Sequence, residues 1–344
     1  MKDVPDSMRA VQLKAYDGKA ESLTIAQVPV PHPGPGEVLV RVAASPINPS
    51  DLMFVRGVYG FKKPLPAVPG FEGSGTVIEA GSGTLPKFLK GRRVACAAAD
   101  AKVSGGLWAE YLVTSAHLCV PLSKQVDLEQ GATLLVNPLS AWALVERARL
   151  GRHRAIVQTA AASALGRMVI RLGQKFSIPI INVVRRDEQV KALRELGTEY
   201  VLDSSKPGFD VQLRDLCHRL QATIAFEAVS GEMSLRVQRA QPSGSRLVVY
   251  GALSLQPSQS DPGALIFEKK TVEGFWLTDW LQSKNMLGQL RVSRQVQQLL
   301  GTDLKTDIRN RVPLEETPKA LQVYSANMTG GKILLVPDGR VANG

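Results

Sequence analysis

The sequence predicts an α/β protein of two domains, an irregular β-rich domain followed by a doubly wound parallel sheet, and three observations carry that expectation. Up to about residue 123, short apolar segments are punctuated by dense Gly and Pro clusters; beyond about residue 127, apolar strands alternate with helical patterns. The 344 residues also suffice for two cores of ordinary size.

In the first region, 38–42, 75–79 and 93–97 read as short strands, and the run 29–36 (PVPHPGPG) reads as an extended connector. Its prolines remove amide donors and fix φ, which excludes regular helix or a central strand. In the second region the expected order is strand 155–159, helix 163–176, strand 178–184 and helix 187–196. Val190, Leu193 and Leu196 share one face of that helix, and Gly197 stops it. Strand 200–202, helix 211–220, strand 223–229, helix 233–240 and strand 246–251 continue the cycle, which implies right-handed βαβ crossovers. A longer helix is expected at 285–300, and an apolar strand at 332–336. A tail that returns to complete the first domain would explain that last strand. The domain boundaries follow: 1–123 with 309–344, and 124–308.

The formal charge of +11, from 42 basic and 31 acidic residues, suits nucleic acid, a polyanionic cofactor or an acidic carrier substrate. The arginines occur as scattered pairs, Arg92-Arg93, Arg152 with Arg154, and Arg185-Arg186, without a nucleic-acid motif, so no nucleic-acid partner is expected. No apolar run approaches the roughly 18 to 20 residues of a membrane span, and residues 1–10 lack a basic-then-apolar signal pattern. No membrane association and a cytoplasmic location are expected. Cys96, Cys119 and Cys217 are too few for a disulfide framework and read as small core residues in a reducing compartment.

Strand 155–159 runs into Ala160-Ala161-Ala162-Ser163-Ala164-Leu165-Gly166 and then a helix. In a Rossmann-type unit this turn must admit a pyrophosphate to the backbone, which demands small side chains, and six of these seven are Ala, Ser or Gly. Only Gly166 occupies a glycine position of the usual fingerprint, and an alanine-rich tight turn needs no ligand; the surrounding alternation favours the dinucleotide reading. About 20 residues further on, where an NAD enzyme needs an acidic residue for the ribose, stand Arg185 and Arg186. Two guanidinium forks match a 2′-phosphate, so NADPH is the expected cofactor; a solvated basic loop is the alternative, and Asp187 can cap the next helix.

Three stretches of the first domain, Ser45-Pro46-Ile47-Asn48-Pro49-Ser50-Asp51, Arg56-Gly57-Val58-Tyr59-Gly60 and Pro66-Ala67-Val68-Pro69-Gly70-Phe71-Glu72-Gly73, resemble the medium-chain dehydrogenase/reductase family, and more narrowly its 2-enoyl thioester reductases. Val136-Asn137-Pro138, Ser163-Ala164-Leu165-Gly166, Asn182-Val183-Val184-Arg185, Val249-Tyr250-Gly251 and Gly274-Phe275-Trp276-Leu277 extend the resemblance over nearly the whole chain. It implies a GroES-like catalytic domain beside the Rossmann-type one, and a homodimer joined through the edges of the cofactor-domain sheets. It also implies an NADPH site lined by Asn137, Ala162, Ser163, Ala164, Leu165, Gly166, Arg185, Arg186, Tyr250, Gly251, Ala252, Leu253, Phe275, Trp276, Leu277, Thr278 and Lys332. Tyr250-Gly251 has independent support, since ligands of parallel sheets sit beyond the carboxyl ends of strands. Phe275 and Trp276 serve equally as core aromatics or a subunit contact, and Lys332 as a solvated lysine.

Zinc-dependent members of the family carry a cysteine near Ser45 and a histidine near Phe71, and neither ligand is present. Cys217 and His218 are adjacent on an expected helix and face apart, while His117 and Cys119 lack neighbouring ligands, so no metal is expected. The resemblance implies hydride attack on the β-carbon of an enoyl thioester, with charge collecting on the thioester oxygen. Tyr59 is then the hydroxyl that bonds the enolate or protonates the α-carbon, against the alternative of an aromatic plug in a loop. Ala160 and Ser163 stand where many quinone reductases have glycine, and Leu139 and Trp142 where a small or polar residue and a tyrosine are usual. The alternatives are a quinone or small enone reductase on the same fold and a non-catalytic NADPH-binding protein.

Overall fold

The computed structural model describes residues 4–98 and 105–339. Residues 1–3, 99–104 and 340–344, which the expected first domain includes, lie outside the described residues. The chain forms two compact units, 1–136 with 293–344, and 137–292. Residues 124–136 and 293–308 thus belong to the first unit, beyond the boundaries drawn from sequence. Polar ties account for this: the Ser123 amide donates to Gln297 Oε1 (2.9 Å), the Thr306 amide donates to Gln130 Oε1 (2.9 Å), and the Thr133 and Thr306 hydroxyls lie 2.8 Å apart.

In the first unit the central strand Glu37–Pro46 pairs antiparallel with Glu72–Ala80, with Tyr111–Ser115 and, at its end, with the tail strand Lys332–Leu335. Residues Leu334 and Leu335 face Pro46 and Ser45 in register, so the chain returns to this sheet. Ile308–Val312 runs parallel to the tail strand, and Arg93–Ala97 with Cys119–Pro121 closes the other side. After Pro46 the chain enters the short helix Pro49–Val55 through a capping box of Asn48 and Asp51. That turn carries Asn48 and Asp51 into the interior beneath the sheet.

The second unit holds six parallel strands in the spatial order Tyr200–Asp203, Ile180–Val184, Ile156–Gln158, Ile224–Glu227, Arg246–Val249 and Thr271–Gly274. By chain order this is 3-2-1-4-5-6, the doubly wound arrangement whose order reverses between the first and fourth strands. The inner strands are short and apolar because helices cover both faces. Ala164–Lys175 follows the first strand, with Ser163 as its N-cap accepting from the Gly166 amide at 3.1 Å. In this unit four elements had no sequence expectation: the helices Asn137–Leu150, Pro262–Phe267 and Leu277–Gln282 and the edge strand Thr271–Gly274.

Candidate active site

The turn after Ile156–Gln158 is built for close approach. Ala160 adopts a left-handed φ of 49°, and Ala161 and Ala162 are buried. A Cβ on Gly166 would meet the Ala161 carbonyl oxygen at 2.4 Å, so the helix can pack against the turn only with glycine there. Gln158 supports the arrangement from below, its Nε2 donating to the Gly166 carbonyl at 3.1 Å and to Asn182 Oδ1 at 2.7 Å. The first-turn amides of Ala164 and Leu165 have no intrahelical acceptors, which together with the small side chains fits a pyrophosphate.

The strand Ile180–Val184 delivers Arg185, exposed, and Arg186, half-buried, at its carboxyl end. Arg186 Nε lies 3.5 Å from Glu188, and Asp187 pairs with Lys206 Nζ at 2.9 Å rather than capping its helix through its side chain. The Ser204 amide donates to the Val184 carbonyl at 2.7 Å, which sets the loop carrying Lys206 beside that of the arginines. Tyr250, Gly251, Ala252 and Leu253 follow the fifth strand, and burial raises the Tyr250 phenol above its ordinary pKa, with the Glu227 charge adding to the effect. Phe275 is half-buried beyond the sixth strand, while Trp276 is 50% exposed and so not a core residue; Leu277 and Thr278 open the next helix. Asn137, buried, begins the helix Asn137–Leu150.

In the first unit Tyr59 stacks on Phe71, with centroids 4.6 Å apart, and meets Phe61 edge-on at 5.3 Å; Phe54 and Tyr16 continue the cluster. Phe71 therefore fills with a ring the position at which the resemblance would place a histidine in zinc-dependent members. Ser45 commits its hydroxyl to the Glu72 carbonyl at 2.7 Å. Among the described residues, no group of three or more His, Cys, Asp or Glu side chains is placed to hold a metal.

Lys332 is neither solvated nor solitary. It is 1% exposed, and its ammonium donates to the Ile47 carbonyl (3.2 Å), to the Tyr324 hydroxyl (3.3 Å) and, over a short contact, to Asn48 Oδ1. Asn48 Nδ2 donates to Glu72 Oε1 at 2.9 Å, the Val136 amide to Glu72 Oε2 at 2.9 Å, and the Asn48 amide to Asp51 Oδ2 at 2.8 Å. Two carboxyls and one ammonium thus share one fully buried site. Burial pushes Asp51 and Glu72 up to about 7 each and draws Lys332 down to about 8, the opposite charges opposing both shifts. The motifs of the sequence contain Asn48, Asp51 and Glu72 without marking a role for them; the acid inside each Gly/Pro-bounded segment is the available signal.

Two family models match: the alcohol dehydrogenase GroES-like domain over residues 34–124 and the zinc-binding dehydrogenase model over 164–291. A mitochondrial enoyl-[acyl-carrier-protein] reductase of Arabidopsis thaliana is 31% identical over 314 residues, spanning 88% of this chain and 81% of the relative. The chain belongs to the medium-chain dehydrogenase/reductase family. The Xenopus tropicalis enoyl-[acyl-carrier-protein] reductase, also mitochondrial, is 29% identical over 96% of this chain and 97% of its own. Among solved structures, a Mesorhizobium loti protein described provisionally as an NADPH:quinone reductase superposes with a TM-score of 0.88 at 34% identity, covering 97% of this chain and all of that one. Membership makes the chain an oxidoreductase with a nicotinamide cofactor. Among the described residues no helix is long and apolar enough to cross a membrane.

Proposed function

We propose that this protein uses NADPH to reduce the carbon–carbon double bond of a 2-enoyl thioester. The observation that carries the reading is the pairing at the family's metal position: Phe71 and Ser45 leave no donor set there, and Phe71 instead seats the phenolic residue Tyr59. A bound nicotinamide would supply the hydride for the β-carbon of the acceptor. Tyr59 donates a hydrogen bond to the thioester oxygen as charge develops there, or delivers the proton to the α-carbon. The alanine-lined turn and the first amides of Ala164–Lys175 hold the pyrophosphate, and Arg185 and Arg186 take the 2′-phosphate. Asn137, Tyr250 to Leu253 and Phe275 to Thr278 complete the lining. The names of the curated relatives support the thioester.

Quinone or small enone reduction is the second reading, favoured by the Mesorhizobium loti neighbour. NADPH oxidation with crotonyl thioester against benzoquinone separates the two; brisk quinone turnover without thioester activity refutes the first. Tyr59→Phe is expected to lower kcat by roughly a hundredfold while leaving NADPH affinity intact, and unchanged kinetics would remove Tyr59 from the mechanism. NADPH is expected to bind more tightly than NADH; equal dissociation constants would defeat the assignment of Arg185 and Arg186. The strand Thr271–Gly274 pairs on one side with Arg246–Val249, and we assign its exposed edge to a homodimer, which the mass in solution tests. A cytoplasmic location remains the reading for this chain, whereas the relatives named above are mitochondrial; fractionation of cells expressing it decides between them.

A further inference from the structure

The carboxyl ends of three adjacent strands, Ile156–Gln158, Ile224–Glu227 and Arg246–Val249, meet around one side chain. Glu227 is fully buried, and each of its oxygens accepts two hydrogen bonds. Oε1 takes the Val229 amide at 2.7 Å and the Thr159 hydroxyl at 3.1 Å; Oε2 takes the Ser230 amide at 2.7 Å and the Ser234 hydroxyl at 2.9 Å. The Thr159 oxygen in turn accepts from the Ala228 amide at 2.9 Å. The Ser230 hydroxyl then donates to the Gly251 carbonyl at 2.9 Å, and the amides of Leu253 and Ser254 donate to Ala228 and Val229 at 3.0 and 2.8 Å. A single carboxylate therefore links the turn after the first strand to the turn after the fourth, and that turn holds the one after the fifth.

The backbone beside it is strained. Ala160 and Ser230 occupy left-handed φ values of 49° and 66° without being glycine. Such residues persist only where surrounding contacts over-determine them. Both lie at the Glu227 network: Ala160 follows Thr159, and Ser230 gives its own amide to the carboxylate. They also flank the point where the strand order reverses, which is where open parallel sheets receive their ligands.

We propose that Glu227 is the positioning residue of the dinucleotide platform, acting through Thr159 and the 228–230 turn to hold the alanine turn and the Tyr250–Leu253 segment in one fixed arrangement. This rests on the reading that the second unit binds NADPH. Glutamine at 227 keeps the size of the side chain, yet its NH2 must face either the Val229 or the Ser230 amide, donor against donor. In full-length Glu227→Gln, NADPH affinity is expected to fall roughly tenfold. The KM for NADPH should rise in proportion, and that for the acceptor should move less than about twofold, a split that general loosening would not give. Without ligand, amide exchange at 159–161 and 228–231 should accelerate together. Thr159→Val, which cuts the bridge and leaves both amide bonds to the carboxylate in place, should show the same pattern more weakly, and it decides the matter if the Gln variant does not fold. Unchanged exchange at 159–161, or NADPH affinity within twofold of wild type, would overturn the positioning role alone. Wild-type protein with no affinity for NADPH would overturn the functional reading, and this role with it.

Discussion

The first unit balances its buried carboxyls with a lysine, whereas the second holds Glu227 with two amides and two hydroxyls. An ammonium is a strong but poorly directional partner, so Asp51, Glu72 and Lys332 share protons and stay sensitive to pH. Amides fixed at 2.7 Å specify where the backbone must lie, so the cost of disturbing Glu227 is geometric. One cluster stores charge and the other stores shape. Lys332→Met is the largest break in this comparison. It takes the donor from the buried Asn48 Oδ1 and Ile47 carbonyl, while the carboxyls, near 7, can neutralise by taking up protons, so thermal or urea denaturation should show a loss of about 1–3 kcal/mol at neutral pH. A loss under about 1 kcal/mol would mean that the ammonium contributes no more than a surface ion pair.

The parallel sheet was legible in the sequence because strands covered on both faces read as apolar runs ended by turn residues, as in 180–184 and 224–227. The helix Asn137–Leu150 was not, because it is buried at most positions all round and so has no polar stripe to mark its period. Thr271–Gly274 escaped for the opposite reason: three of its four residues are exposed, as suits an edge strand, and carry no apolar run. The place of the arginine pair, just past the strand Ile180–Val184, was legible from its spacing after the turn. Lys332 was not visible as a buried cation, since its partners Ile47 and Asn48 lie 285 and 284 residues away and only the returning tail strand brings them together. Glu227 is an acid closing an apolar strand, which is a signal in itself. Half of its bonding partners are backbone amides, and those leave no trace in residue type.

The pH dependence sharpens the contrast with a smaller effect. Asp51 and Glu72 stand near 7 in the folded state and near 4 when unfolded, so between those values the native chain holds protons that the unfolded chain releases. Stability contributed by this cluster is therefore expected to fall as pH rises from about 4 to about 7. Lys332, near 8 folded and near 10.5 unfolded, reverses the sign above pH 8, since there the unfolded chain holds the extra proton. Asp51→Asn removes one of the titrating groups while an amide oxygen can still accept from the Asn48 amide. Urea midpoints across this range should decline less steeply in the variant than in wild type, and parallel curves would rule out Asp51 as a source of the slope.

The smallest expected effect separates directional from charge-based holding most cleanly. Ser234→Ala removes one of the four donors to Glu227 and none of its backbone partners. Oε2 keeps the Ser230 amide at 2.7 Å, so the left-handed turn at Ser230 stays fixed. The expected cost is about 1 kcal/mol, that of an ordinary net hydrogen bond, because the acceptor remains satisfied. Were the carboxylate held by summed electrostatics, losing any one dipole would loosen the whole cluster, and amide exchange would accelerate at Val229 and Ser230 as strongly as in Glu227→Gln. Exchange at those two amides close to the wild-type rate is the result that geometric holding requires.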